Sequence, residues 1–412
     1  MTLHRLSLVA LVSICVPALA ASSCGAAPAG MLAPPIVFYV AKGAPDACGS
    51  GCDSWIAAEG QVDTGAALRF RKFQRQVKDR NLPMYFLSPG GNLDQALVIG
   101  AALRETPVVA RVGRTVVKEC GFEAQDSDVC LKLKQSGREL HADLSTRGAA
   151  CNSACPYLML GATTREIAPD AQLGVHSPKI ILHFSGGEPT QQIRTAAAER
   201  GLERVDRMLA AYFVKMGGNG GLLDLAKTVK FENMHVLTRE EIVRFGIDRR
   251  EFVETPWTFE NNARSMIRKF AVQKNDTENA YRMTQWRLIC FNVDQFELDF
   301  QRPATVSTSF ATISISNGSP KPLRFAFPPA KPPGFEIWGL RMNGASVQSL
   351  AGLHTFDFTE TTLAPDGRWL AHAGKFSNEG LTGALADLLA TCPPQKGSAT
   401  LQTGKPRDSA AK

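Results

Sequence analysis

Gly148-Ala149-Ala150-Cys151-Asn152-Ser153-Ala154-Cys155 runs directly into the apolar segment Pro156 to Ala162. Residues this small permit a tight turn from a strand into a helix, and such a turn lifts one side chain into a cleft. Ser153 stands where the turn meets the helix, and the Ala154 N–H can donate there to a substrate oxygen. Taken alone, a serine in a small-residue turn reads as a helix cap or a packing choice.

Two further segments bear on that serine. Upstream, the strand pattern Pro83-Met84-Tyr85-Phe86-Leu87 stops at Ser88-Pro89-Gly90-Gly91. Two glycines let the backbone turn without Cβ obstruction, so an N–H can point at a carbonyl oxygen on which charge develops. Downstream, Leu173-Gly174-Val175-His176-Ser177-Pro178 ends a short apolar strand on a histidine. That residue is either an ordinary edge side chain or a general base, since an imidazole both accepts and donates near neutral pH.

Around these segments, apolar runs alternate with amphipathic stretches. Strands are expected at Ile36 to Val40, within Cys48 to Ala58, and at Val108 to Val112. Helices are expected over Ala66 to Arg80, after Asn92, and over Thr190 to Met216. The last has an apolar face of Ile193, Ala197, Leu202, Val205, Leu209 and Phe213. Such alternation implies βαβ units and a mostly parallel sheet, an α/β class. Arg114 to Arg147 interrupts the rhythm as a charged hairpin or loop excursion.

In this order the pieces resemble the ClpP peptidases of the ClpP/crotonase superfamily. They are Ser88-Pro89-Gly90-Gly91, the turn at Ser153, then Arg165, Pro169 and Val175-His176-Ser177-Pro178. Ser185-Gly186-Gly187, the long helix and Leu237-Thr238-Arg239-Glu240-Glu241-Ile242-Val243-Arg244-Phe245-Gly246-Ile247-Asp248 continue the series. The resemblance spans about residues 80 to 250. It implies a spiral of ββα units, Ser153 as nucleophile, His176 as base, and Gly90 with Ala154 as oxyanion donors, Gly91 being the less favoured donor. The family's triad acid falls on Met234, which cannot orient an imidazole; Glu232, Asn233 or His235 can substitute if the loop shifts by a residue. Asn233 is chemically adequate to fix a tautomer but brings no charge. What remains is similar to the exported ClpP-like proteins of bacteria.

The rest of the chain sets the context. His4 and Arg5, the apolar Leu6 to Val16 and Pro17-Ala18-Leu19-Ala20 form a secretory signal cleaved after Ala20, which places the protein in the periplasm or outside the cell. Of the nine cysteines beyond it, close spacing pairs Cys48 with Cys52, Cys120 with Cys130, and Cys151 with Cys155. Cys290 and Cys392 then join distant segments, and Cys24 is left over. The formal net charge of +7 is spread along 412 residues without a basic run, which argues against a nucleic-acid partner. No spacing supports a metal site, His183 and His235 included, and no cofactor is expected.

The expected organisation is a signal peptide (1–20), a flexible leader (21–35), a ClpP/crotonase-like domain (36–255, with its insertion at about 114–147), a small β-rich domain (256–392) and a disordered tail (393–412). Its strands are read at Trp286 to Phe300, Ser307 to Asn317, Leu323 to Phe327, Phe335 to Met342, His354 to Phe358 and Trp369 to Ala373, before a helix at Gly380 to Ala390. The expected activity is ATP-independent serine hydrolysis, with a polypeptide substrate, no ATPase partner, and a homo-oligomer suggested by the family's rings and trimers. The competing reading is a binding or assembly module that has lost its triad and acts through the β-rich segment. A Ser–Lys dyad using Lys179 needs a buried lysine.

Overall fold

The computed structural model describes residues 33–77, 79, 81–182, 184, 188–261, 265–275, 280–304, 311–316, 320–325, 334–363 and 366–393. The signal segment, most of the leader, Cys24, His183, Ser185 to Gly187 and the tail beyond 393 lie outside the described residues, as does part of the strand expected from Ser307.

The fold is mixed α/β. Its first sheet, of seven strands among the described residues, is ordered Arg114–Val117, Leu140–Ser145, Val37–Lys42, Ser54–Glu59, Met84–Leu87, Val109–Val112 and Thr164–Glu166. The last four pair in parallel, while Val37–Lys42 and Ser54–Glu59 pair antiparallel. Successive side chains of a strand face opposite ways. Phe38 therefore packs on helix Ala66–Gln76, its ring 5.1 Å from Phe70, while Val37, Tyr39 and Ala41 face the other side.

That other side is covered by the segment expected to be an excursion. Arg114–Val117 and Leu140–Ser145 pair antiparallel, as a hairpin would, but Leu140–Ser145 also joins Val37–Lys42 and so extends the sheet. Between them lies helix Asp128–Lys134, tied down by the Cys120–Cys130 disulfide. Lys134, 3% exposed, donates to Glu59 Oε2 (2.9 Å) and the Gln125 carbonyl (3.0 Å), and Tyr39 Oη donates to the same carboxylate (2.7 Å). Every charge in this buried group has a partner, the condition under which buried charge is tolerated.

A second sheet, of three strands among the described residues, carries the residues of interest. Ala150–Asn152 and Gln172–Val175 are parallel, and His235–Val236 closes the far edge antiparallel. A parallel bridge from Ser88 to Cys151 fastens it to the end of Met84–Leu87.

From Phe252–Glu254 to Trp369–Ser377 the chain forms a further sheet, of ten antiparallel strands among those described. Trp286 sits at its centre, against Phe300, Phe356, Phe358 and Phe376 at ring separations of 4.6–5.7 Å. The first and last strands meet: Ser377 N–H donates to Glu254, and Phe252 contacts Phe376. Several features here differ from the sequence expectation. Phe252–Glu254, Thr258–Asn261 and Ser265–Asn275 are strands, the first lying within the range 36–255 expected for the preceding domain; Trp286 to Phe300 is two strands, Ala280–Asn292 and Gln295–Pro303; and Gly344–Ala351 is a helix.

The long helix also differs in packing. Gln191–Met216 has the expected extent, but only Leu209, Tyr212, Phe213 and Met216 are buried, and Ile193 and Leu202 are exposed. A helix of 26 residues is about 39 Å long at 1.5 Å per residue, and only its C-terminal end reaches the core.

Candidate functional site

Three segments converge at one end of the small sheet. Ser88 N–H donates to the Ala150 carbonyl (3.0 Å) and Asn152 N–H to the Ser88 carbonyl (2.9 Å), locking the diglycine corner to the strand that ends at Asn152. Asn152 lies opposite Gly174 in parallel register, and Ser153 N–H donates to the Gly174 carbonyl at 2.8 Å. Because the strands are parallel, Ser153 and His176 leave the sheet at the same end.

Ser153 has φ 59°, and Asp46 is the other non-glycine residue in the left-handed region among those described. For an L-residue this conformation costs roughly 1–2 kcal/mol, so the surroundings must enforce it. They do so covalently. The Cys151–Cys155 disulfide spans the turn with its Cα atoms 5.2 Å apart, and helix Cys155–Leu160, buried along its whole length, holds the far side.

Gly90 lies directly against this turn. A Cβ built on it would stand 2.4 Å from Ser153 Cβ, 2.6 Å from the Asn152 carbonyl oxygen and 2.8 Å from Ala154 N, and its φ is +97°. Its own N–H donates to Ser88 Oγ at 3.1 Å. The N–H groups of Gly91 and Ala154, by contrast, enter no hydrogen bond among the described residues. The corner thus holds two unused backbone donors, at Gly91 and Ala154, and one occupied donor at Gly90.

His176 is buried, with 9% exposure. Its Nδ1 lies 2.8 Å from the Ser177 carbonyl oxygen. A carbonyl can only accept, so Nδ1 carries the proton in this contact and Nε2 presents a lone pair, the form a general base requires. Ser177 is itself pinned, its N–H donating to the Val229 carbonyl at 2.8 Å. The ring meets Phe231 edge-to-face at 4.9 Å and 83°. No hydrogen bond joins Ser153 Oγ to the imidazole in this conformation, both residues being described; such bonds often tighten only when substrate binds.

Around Met234, where the resemblance places the triad acid, the residues sort as follows. His235 pairs with Val175, so Met234, one residue earlier, comes opposite His176. Its thioether fills the space over Gly174, where an added Cβ would lie 2.6 Å from Met234 Sδ and 2.4 Å from Asn152 Oδ1. His235 is engaged with Glu241 (2.8 Å). Asn233 is exposed, its N–H donating to the Lys230 carbonyl (2.9 Å), and Glu232 is exposed as well. Lys179 is exposed, with its ammonium over the Phe231 ring at 5.2 Å. Sequence reasoning missed the Ser177 carbonyl, which has no side-chain signature, and Phe231, whose signal was its place three residues before Met234.

The four expected disulfides are present: Cys48–Cys52, Cys120–Cys130, Cys151–Cys155 and Cys290–Cys392. Among the described residues no helix is long and apolar enough to cross a membrane, and no cluster of three metal-ligating side chains occurs.

No family model and no curated protein matches the chain. Among solved structures, a mutant of the membrane-bound stomatin-specific protease 1510-N is similar at 17% identity, over 47% of this chain and 75% of its own, with a TM-score of 0.28. A likeness of that size does not carry chemistry from one protein to the other.

Proposed function

We propose that the protein is a ClpP/crotonase-like serine hydrolase that cleaves polypeptides outside the cytoplasm without ATP. Ser153 is the nucleophile and His176 Nε2 takes its proton. Ala154 N–H and a glycine of the 90–91 corner receive the oxyanion, and Gly91 is better placed because its N–H is not already used. The observation that carries the reading is the left-handed Ser153, held by a disulfide at the same sheet end as His176. Strain concentrated on one serine beside an imidazole and unused amides is the pattern of a nucleophile turn. The Ser177 carbonyl replaces the acid as orienter, and it fixes the tautomer without lending negative charge to the imidazolium. A slow enzyme follows from that. Four disulfides support an oxidising compartment.

A fluorophosphonate probe applied to the purified protein tests the assignment. Labelling is expected at Ser153 and is lost in Ser153→Ala; labelling that survives this substitution defeats it. Met234 in the acid position favours a second reading, a non-catalytic module using the β-rich segment 256–392, and a wild-type chain that never labels would select it.

A further inference from the structure

We infer that Phe231 is the positioning residue for His176, acting from the loop in which Met234 stands where the resemblance places the acid. The inference rests on the hydrolase reading for its consequence in catalysis, but its geometry stands by itself.

An imidazole that must accept a proton from a neighbouring hydroxyl has to be held at both its tautomer and its tilt. In this site one loop supplies both constraints. The Val229 carbonyl fixes the Ser177 N–H (2.8 Å), and the Ser177 carbonyl in turn fixes His176 Nδ1 (2.8 Å). A single hydrogen bond leaves the ring able to rock about the bond axis. Phe231, two residues beyond Val229, removes that freedom by meeting the imidazole edge-to-face, with centroids 4.9 Å apart and planes at 83°. Aromatic pairs prefer this arrangement.

Phe231 is 42% exposed, so core packing does not account for its place. Its ring is instead gripped from outside by the Lys179 ammonium at 5.2 Å, a cation–π contact. The order Lys179, Phe231, His176 is therefore a stack that ends on the candidate base. No carboxylate stands in it, and Met234, opposite His176, contributes none.

The test compares Phe231→Leu with Phe231→Tyr in the full chain, and reads both peptide hydrolysis and the mobility of the His176 ring from nuclear relaxation of its Cδ2–H and Cε1–H groups. Phe231→Leu is expected to lower kcat roughly tenfold with KM changed less than twofold, as a small misplacement of a reacting group does. In the same variant the order parameter of the His176 ring falls, while the Nδ1–H tautomer, held by the Ser177 carbonyl, persists. Phe231→Tyr restores both, and Lys179→Met produces a partial loss of about two- to threefold. Because the phenyl group is half exposed, the melting temperature of Phe231→Leu stays close to wild type. An unchanged ring order parameter in a folded Phe231→Leu overturns the inference, whether or not the protein hydrolyses anything. A lowered order parameter in a protein that neither labels nor cleaves supports the ring contact and rejects the hydrolase, so the two ideas fail separately.

Discussion

Gly90→Ala is the substitution with the sharpest expected outcome. The new methyl would lie 2.4 Å from Ser153 Cβ, against an ordinary carbon–carbon contact of about 3.5 Å or more. Ser153 or the corner must therefore move by about 1 Å. Neither can move cheaply, since the Asn152 carbonyl and Ala154 N block two other directions at 2.6 and 2.8 Å and the disulfide fixes both ends of the turn. Overpacking of this kind costs roughly 1–3 kcal/mol. Alanine at a φ of +97° adds about 1–2 kcal/mol. A total of about 2–5 kcal/mol should lower the melting temperature by several degrees while leaving the chain folded. The same 1 Å shift separates the hydroxyl from the unused amides and should cut the rate of probe labelling by about a hundredfold. Differential scanning fluorimetry and timed labelling on one preparation measure both effects. A variant that labels at the wild-type rate and melts within a degree of wild type would refute the claim that Gly90 buttresses the serine turn.

Three other outcomes are expected. Ser153→Gly should abolish labelling yet raise stability by up to about 1 kcal/mol, because glycine occupies φ 59° without the Cβ penalty; a lower melting temperature would show that the turn stores no strain. Met234→Asp should speed hydrolysis roughly five- to tenfold by placing a carboxylate opposite His176, the gain being held down by the site's 40% exposure, and Met234→Asn should not; equal rates in both would remove Met234 from the account of slow catalysis. Acid stability should depend on Asp248. Burial alone would push its carboxyl up, but hydrogen bonds from Arg250, Arg239 and the Ile167 N–H outweigh that and hold it at about 2. The folded-state value lies below the unfolded one, so the stabilisation is complete above pH 4 and is lost as pH falls toward 2. It amounts to about 2 kcal/mol, to be seen as a shallower loss of stability between pH 4 and 2 in Asp248→Asn.

Much of the site was legible because its signals are local. Small residues around Ser153, the glycines after Leu87 and cysteines four or ten apart each constrain their own neighbourhood, and local constraint survives in a linear sequence. What was illegible depended on partners far along the chain. Strand Ser265–Asn275 escaped because Lys269 occupies an inward position between Ile267 and Ala271, breaking the apolar alternation. It is admitted there by Glu254 (3.0 Å) and the Thr255 carbonyl (2.6 Å). Helix Gly344–Ala351 is hidden in the sequence because Asn-Gly is a dipeptide that favours turns, yet Asn343 Oδ1 accepts from Ser346 N–H as a helix cap. The hairpin between Asn292 and Gln295 contains no glycine or proline to announce it. Above all, the group that orients His176 is a backbone carbonyl, which every residue possesses.

The Cys290–Cys392 bridge differs from the other three in kind, because its sequence separation is 102 where theirs are 4, 10 and 4. As the chain emerges from its N-terminus, both cysteines of each local pair appear within ten residues of one another. Cys290 instead waits as a thiol until six of the ten described strands of the antiparallel sheet, and the helix Leu381–Thr391, have followed it. During that interval it is the natural target for mixed disulfides and for mispairing with a neighbour molecule. An oxidant that acts quickly and indiscriminately therefore threatens the yield of this protein more than its finished stability, and a disulfide isomerase would matter chiefly for one bond.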